Sequence, residues 1–133
     1  MDDVKKEKLK KKLSPDLYKI AVEKGTEAPF SGEYVSTKDK GVYKCMVCGN
    51  PLFSSETKFE TKIPGLMGWP SFEQALPGAI KLEPDTTYGM NRSEVLCSNC
   101  NSHLGHVFDD NSETKTGKHY CINCVSLDLK KSQ

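Results

Sequence analysis

A chain of 133 residues and 14.8 kDa has the length of one domain. With 36% hydrophobic and 28% charged residues, and aromatics limited to Trp69, five Tyr and five Phe, the core is lean, so a covalent or metal staple would matter. A formal net charge of +1 excludes a function carried by an overall field toward nucleic acid or membrane, and no apolar run approaches the roughly 18 residues of a membrane span. Residues 1–13 read as a Lys-rich leader, expected to be flexible and solvated, and residues 14–133 as one domain. The leader lacks the apolar stretch and cleavage site of a secretory signal, which points to the cytosol. At Ser14-Pro15-Asp16 an N-cap residue precedes Pro at the first helical position and an early acid. Leu17, Ile20 and Ala21 follow at helical spacing, predicting a helix from Pro15 to Lys24 that stops at Gly25.

From Gly32 onward short stretches rich in Val, Tyr, Phe and Thr alternate with Gly, Pro, Asn and Asp. Strands are predicted at Gly41–Lys44, Lys58–Thr61, Ala79–Leu82, Arg92–Leu96 and His106–Phe108. A further one is predicted at His119–Ile122, continuing toward Leu127–Leu129, and Asp109–Lys118 reads as a polar surface loop. No internal repeat or βαβ alternation is present, so the body is mainly β.

The six cysteines all lie in Cys-x-x-Cys pairs. In a reducing compartment such pairs are metal ligands or redox groups rather than a disulfide framework. Cys45-Met46-Val47-Cys48 and Cys97-Ser98-Asn99-Cys100 each follow a predicted strand, where a tight turn aims two thiolates at one metal. Together they predict one structural zinc ion. The 48 residues between the pairs mean that the metal would join distant segments and contribute to folding directly. Four sulfur ligands leave no open coordination position, so chemistry must sit elsewhere.

Cys121 and Cys124, in His119-Tyr120-Cys121-Ile122-Asn123-Cys124, fall within a predicted strand and make a poor second metal site; they are the candidate reactive pair. A thiol becomes a nucleophile when nearby cationic or donor groups bring its pKa down from about 8.5, and His103, His106 and His119 are available for that. The alternative for Cys121 is a small buried hydrophobe, and for Trp69 a core residue.

These segments resemble the methionine-R-sulfoxide reductase (MsrB) family from about Gly25 to Leu129. The matching stretches are Gly25-Thr26-Glu27-Ala28-Pro29-Phe30-Ser31-Gly32-Glu33-Tyr34, Gly68-Trp69-Pro70-Ser71-Phe72, His103-Leu104-Gly105-His106-Val107-Phe108-Asp109-Asp110 and Tyr120-Cys121-Ile122-Asn123. The resemblance implies two antiparallel β-sheets with short N-terminal helices, and thiol-dependent reduction of the R epimer of methionine sulfoxide, free or in proteins. Cys121 would be the nucleophile, passing through a sulfenic acid. His103, His106 and Asn123 would surround the sulfoxide oxygen and the thiolate, Asp110 would support them, and Trp69 would seat the substrate methyl group. Regeneration would use a thioredoxin-like protein or a small thiol, and the protein would act as a monomer without nucleic acid or membrane.

Two residues depart from the family pattern. Met67 stands where many members carry a resolving cysteine, which leaves Cys124 as the candidate resolving thiol. On a continuous strand residues three apart are about 10 Å distant on opposite faces, so a Cys121–Cys124 disulfide would require local bending. His119 stands where arginine is usual, which removes a permanent positive charge beside the nucleophile. Rival readings are a zinc-stabilised RNA- or acid-binding module, against which the near-neutral charge counts, and a disulfide oxidoreductase, against which the missing βαβ pattern counts.

Overall fold

A computed structural model describes residues 3–30, 32, 34–35, 37–62, 67–85, 92–108 and 114–131. Among the described residues two helices, α1 (Asp3–Lys12) and α2 (Pro15–Ala21), precede nine strands. These are β1 (Gly41–Cys45), β2 (Pro51–Ser54), β3 (Lys58–Phe59), β4 (Ser71–Phe72), β5 (Ile80–Asp85), β6 (Arg92–Cys97), β7 (His103–Phe108), β8 (His119–Ile122) and β9 (Leu127–Lys131). They form a three-stranded sheet in the order β2-β1-β9 and a six-stranded sheet in the order β3-β4-β8-β7-β6-β5, with every pairing antiparallel.

Within the Lys-rich residues 1–13, Asp3–Lys12 form a helix without a buried residue. Its Lys, Glu and Leu residues are good helix formers, with Asp3 in the first turn and three lysines in the last. It lacks an apolar stripe, so periodicity could not reveal it. Helix α2 begins as expected, with the Ser14 hydroxyl accepting the Leu17 N–H at 3.3 Å, but ends at Ala21. Lys24, in the left-handed region at φ 61°, then turns the chain across the large sheet.

One core lies between the sheets. Tyr43 and Phe53 from the small sheet meet Phe72 and Tyr120 from the large one, with Phe53 stacked on Phe72 at 4.4 Å and Tyr43 edge-on to Phe72 at 5.1 Å. Val95, Leu104, Val107, Ile122 and Leu127 are among the residues packed around them. Burying Phe72 contributes about 3–5 kcal/mol by the usual cost of truncating such a side chain.

Two strand expectations change. Strand β8 stops at Ile122; Cys124–Ser126 form a 3-10 turn, and Leu127–Lys131 belong to the other sheet, paired with β1. Gly68–Phe72, given no element from sequence, contributes the two-residue strand β4 beside β8. Strand β2 was also not foreseen, because Pro51-Leu52-Phe53-Ser54 begins with proline and is short.

Candidate active site and metal centre

Register assigns the outer face of the large sheet. Cys121 on β8 lies directly opposite Ser71 on β4 and His106 on β7, and His106 lies opposite Glu94 on β6. Residues directly opposite share a face, with Cβ atoms about 4.5–5.5 Å apart. Phe108 and His119 form the next pair on that face; on β5, Glu83 lies opposite Glu94, and Asp85, two residues further on, lies opposite Arg92. The intervening residues Tyr120, Ile122, Val107 and Val95 point into the core.

His103 and His106 differ by three positions, so a regular strand would put them on opposite faces. A register irregularity prevents this: Val95 faces Gly105 but Leu96 faces His103, which leaves Leu104 as an extra residue. Such a bulge re-aims the side chains around it. Leu104 is wholly buried in the core, and the two imidazoles stand edge to face with centroids 5.4 Å apart.

Each imidazole is held by a carboxylate. His103 Nδ1 is 2.6 Å from Glu94 Oε2, and Glu94 Oε1 receives Lys24 Nζ at 3.3 Å. Both members of the first pair are buried, and His103 Nε2 has no partner among the described residues. Burial holds the His103 pKa below 6.5 despite the opposing hydrogen bond and charge of Glu94, so the ring is neutral with its proton on Nδ1. His106 Nε2 is 2.7 Å from Asp85 Oδ2. Glu94 and Asp85 were not singled out from sequence: an acid alternating along a strand reads as a solvent-facing residue, and one after proline reads as a turn.

Cys121 is half-buried, and burial, followed by the charge of Glu27, pushes its thiol up to about 12. The neighbouring histidines predict a thiol brought down toward neutrality; desolvation acts in the other direction. Close pairing of β7 with β8 requires Gly105, because a Cβ there would overlap the Cys121 carbonyl oxygen. His119 is fully buried, with Nε2 2.8 Å from Ser71 Oγ and the Phe59 ring edge-on at 4.9 Å.

Trp69 is half-buried, and its indole N–H donates to the Glu27 carbonyl oxygen at 3.0 Å. Asn123 accepts the Glu27 N–H on Oδ1 and donates from Nδ2 to the Leu104 carbonyl, both at 3.0 Å. Its amide thus ties the segment after α2 to the bulge. Cys124 is buried in the 3-10 turn, with the Tyr34 N–H directed at its sulfur at 3.4 Å; Gly32 packs so closely that a Cβ would overlap the Cys124 Cβ. The expectation that Cys124 continues the Cys121 strand is therefore corrected, and with it the separation calculated for a straight strand. Asp110 lies outside the described residues.

Cys45, Cys48, Cys97 and Cys100 bring their four sulfur atoms within 4.8 Å of one another, a cluster that could hold a metal ion. Cys45 ends β1 and Cys97 ends β6, and each is followed by a turn that returns its partner cysteine: Gly49 N–H bonds Cys45 O and Asn101 N–H bonds Cys97 O, both at 2.8 Å. The cluster therefore joins the small sheet to the large one. His103 follows Cys100 by three residues, so the second turn also sets where β7 starts.

The SelR domain family matches residues 13–131. A peptide methionine sulfoxide reductase MsrB of Methanosarcina barkeri is 53% identical over 125 residues, covering 93% of this chain and 84% of that protein. One of Pseudomonas savastanoi pv. phaseolicola is 48% identical and covers 97% of each chain. The mitochondrial methionine-R-sulfoxide reductase B3 of Mus musculus is 51% identical over 91% of this chain, which spans 46% of that protein. Among solved structures, the Mis18 "Yippee-like" domain matches with a TM-score of 0.55 at 17% identity, covering 71% of this chain and 98% of that one, a likeness of fold alone.

Proposed function

The chain belongs to the SelR domain family, whose matched relatives are methionine sulfoxide reductases, and from that premise we propose that it reduces the R epimer of methionine sulfoxide at Cys121. The observation that carries this reading is the shared face: Cys121 directly opposite His106, with His103 turned onto the same side by the bulge at Leu104. In the reaction the Cys121 sulfur attacks the sulfoxide sulfur as the S–O bond breaks and the oxygen leaves as hydroxide carrying the thiol proton; hydroxide then attacks the Cys121 sulfur and the newly formed S–S bond breaks. The thiol proton and the sulfoxide oxygen end on the enzyme as a sulfenic acid, and methionine leaves.

Because Cys121 is held as a thiol, the proton it must lose is also the proton that the sulfoxide oxygen needs. The imidazoles of His103 and His106 are able to accept and pass it, each oriented by its carboxylate. A neutral His103 with its proton on Nδ1 leaves Nε2 as the acceptor. Trp69 is the apolar seat for the methyl group, its plane fixed by the bond to Glu27, and Asn123 holds the bulge in place. Asp110 retains its reading as a supporting carboxylate. Substrate is methionine sulfoxide, free or in proteins.

The four-cysteine cluster fits zinc. A Zn–S bond of about 2.3 Å places the sulfurs of a tetrahedron about 3.8 Å apart; here Cys45 and Cys100 sulfurs are 3.7 Å apart and those of Cys48 and Cys97 3.6 Å. A single ion held by four thiolates contributes folding energy and touches no substrate.

Regeneration joins Cys124 to the Cys121 sulfenic acid with loss of water, and a thioredoxin-like protein or small thiol then reduces the disulfide. The turn Cys124–Ser126 would have to open to allow this. Direct reduction of the sulfenic acid by the external thiol is favoured by one observation, that Cys121 is half-exposed whereas Cys124 is buried. The working unit in this reading is a cytosolic monomer.

Turnover of the separate R and S epimers with dithiothreitol tests the reading. Wild type should consume R alone and Cys121→Ser neither; equal use of both epimers, or activity in the serine variant, would overturn it. Mass analysis after one turnover separates the two routes, since only the first yields a Cys121–Cys124 disulfide.

A further inference from the structure

Glu27 stands in the segment after α2, before any strand, yet three separate parts of the site meet on it. Its N–H donates to Asn123 Oδ1 at 3.0 Å and its carbonyl oxygen accepts the Trp69 indole N–H at 3.0 Å. Its carboxylate accepts the N–H of Cys124 at 2.8 Å on one oxygen and that of Val125 at 3.0 Å on the other. These last two bonds satisfy the start of the 3-10 turn, where the residue at the cap, Asn123, makes no side-chain capping bond because its amide is already committed.

The carboxylate also acts at a distance. Its charge is close enough to Cys121 to raise the thiol, which a neutral tie of the same shape would not do. Both carboxylate oxygens are used by the turn, one for each N–H, so the same group that holds the turn also places its charge near Cys121.

We propose that Glu27 is a positioning residue for the reduction, holding the Trp69 seat, Asn123 and the Cys124 turn in one fixed arrangement about Cys121. The proposal rests on the reading that Trp69 seats the substrate and Cys121 attacks it. Opening of the turn to bring Cys124 to Cys121 breaks both carboxylate bonds, so Glu27 also links the state of the resolving thiol to the firmness of the seat.

Glu27→Gln keeps the shape but turns one acceptor into a donor, leaving one N–H of Cys124 or Val125 without a partner; Glu27→Asp keeps the charge on a shorter stem. On the metal-loaded full chain three quantities are read: KM and kcat for the R epimer, acrylamide quenching of Trp69, and the apparent pKa of the Cys121 thiol. Trp69 is the sole tryptophan, so its emission reports the seat directly. Glu27→Gln should raise KM about tenfold, roughly double the quenching constant and lower the thiol pKa, so that a more easily ionised thiol accompanies a poorer enzyme. Glu27→Asp should restore the thiol pKa and part of the KM. A folded Gln variant whose KM stays within about twofold of wild type and whose quenching constant is unchanged would overturn the proposal, as would activity that falls only with the folded fraction. Quenching and thiol titration need no turnover, so failure of the sulfoxide-reduction reading, seen as an inactive wild type, is distinguishable from failure of the role given to Glu27.

Discussion

Replacing Glu94 by alanine should destabilise the protein and scramble the His103 ring together. The Glu94 carboxylate is 7% exposed and His103 3%, so the 2.6 Å bond between them is made away from water. Truncation leaves the Nδ1–H of a buried ring unpaired, which costs about 1–3 kcal/mol, and the lost side-chain volume adds about 1 kcal/mol. The Lys24 ammonium is 61% exposed and regains water, so its share is under about 1 kcal/mol. A loss of about 2–4 kcal/mol follows, a large part of the stability of a domain of this size. Glu94→Gln keeps an acceptor for Nδ1–H and should lose about 1 kcal/mol at neutral pH.

Acidification sharpens the contrast. The folded His103 pKa is depressed below 6.5, so its neutral form contributes stability that is complete above pH 6.5 and lost as the pH falls below that value. Glu94 opposes the depression; removing its charge deepens it. The gap between Glu94→Gln and wild type should therefore widen as the pH is lowered from neutrality. Urea unfolding of metal-loaded protein measures the stabilities, and nitrogen-15 spectra of the ring report the tautomer. An alanine variant within about 0.5 kcal/mol of wild type, or one whose His103 proton stays wholly on Nδ1, would refute the account of this pair.

Gly105→Ala should cost about 1–3 kcal/mol and most of the turnover, because the new Cβ meets the Cys121 backbone and β7 must part from β8; a variant with wild-type melting and activity would contradict this. Removing the metal with a chelator, or by Cys97→Ser, should lower the melting temperature sharply and abolish reduction through lost positioning of β7, whereas a metal-free form with full turnover would contradict it. His119→Arg should bring the Cys121 thiol down from about 12 by supplying a permanent cation two residues away on the same face; an unchanged thiolate absorbance titration would count against that.

What the sequence determined by itself was chemical identity and approximate place. Four cysteines in two spaced pairs predict a cluster that could hold a metal ion, because thiolate softness and turn geometry are local properties. The β-rich body and the start of α2 were legible for the same reason, since capping and alternation lie along the chain, whereas the roles expected of His103, His106 and Trp69 came from the family resemblance. Tertiary structure decided what depends on the partner strand. The bulge at Leu104 is a mismatch between β6 and β7, and neither strand alone contains it. The end of β8 at Ile122 depends on Glu27, 97 residues before Cys124, capping the turn that follows. Glu94 alternates along its strand as a solvated acid does and Asp85 follows proline as a turn residue does, and the histidines across the sheet are what bring both into the candidate site. The raised thiol of Cys121 belongs to the same class, since desolvation is set by everything packed around a group and by no residue in its own motif.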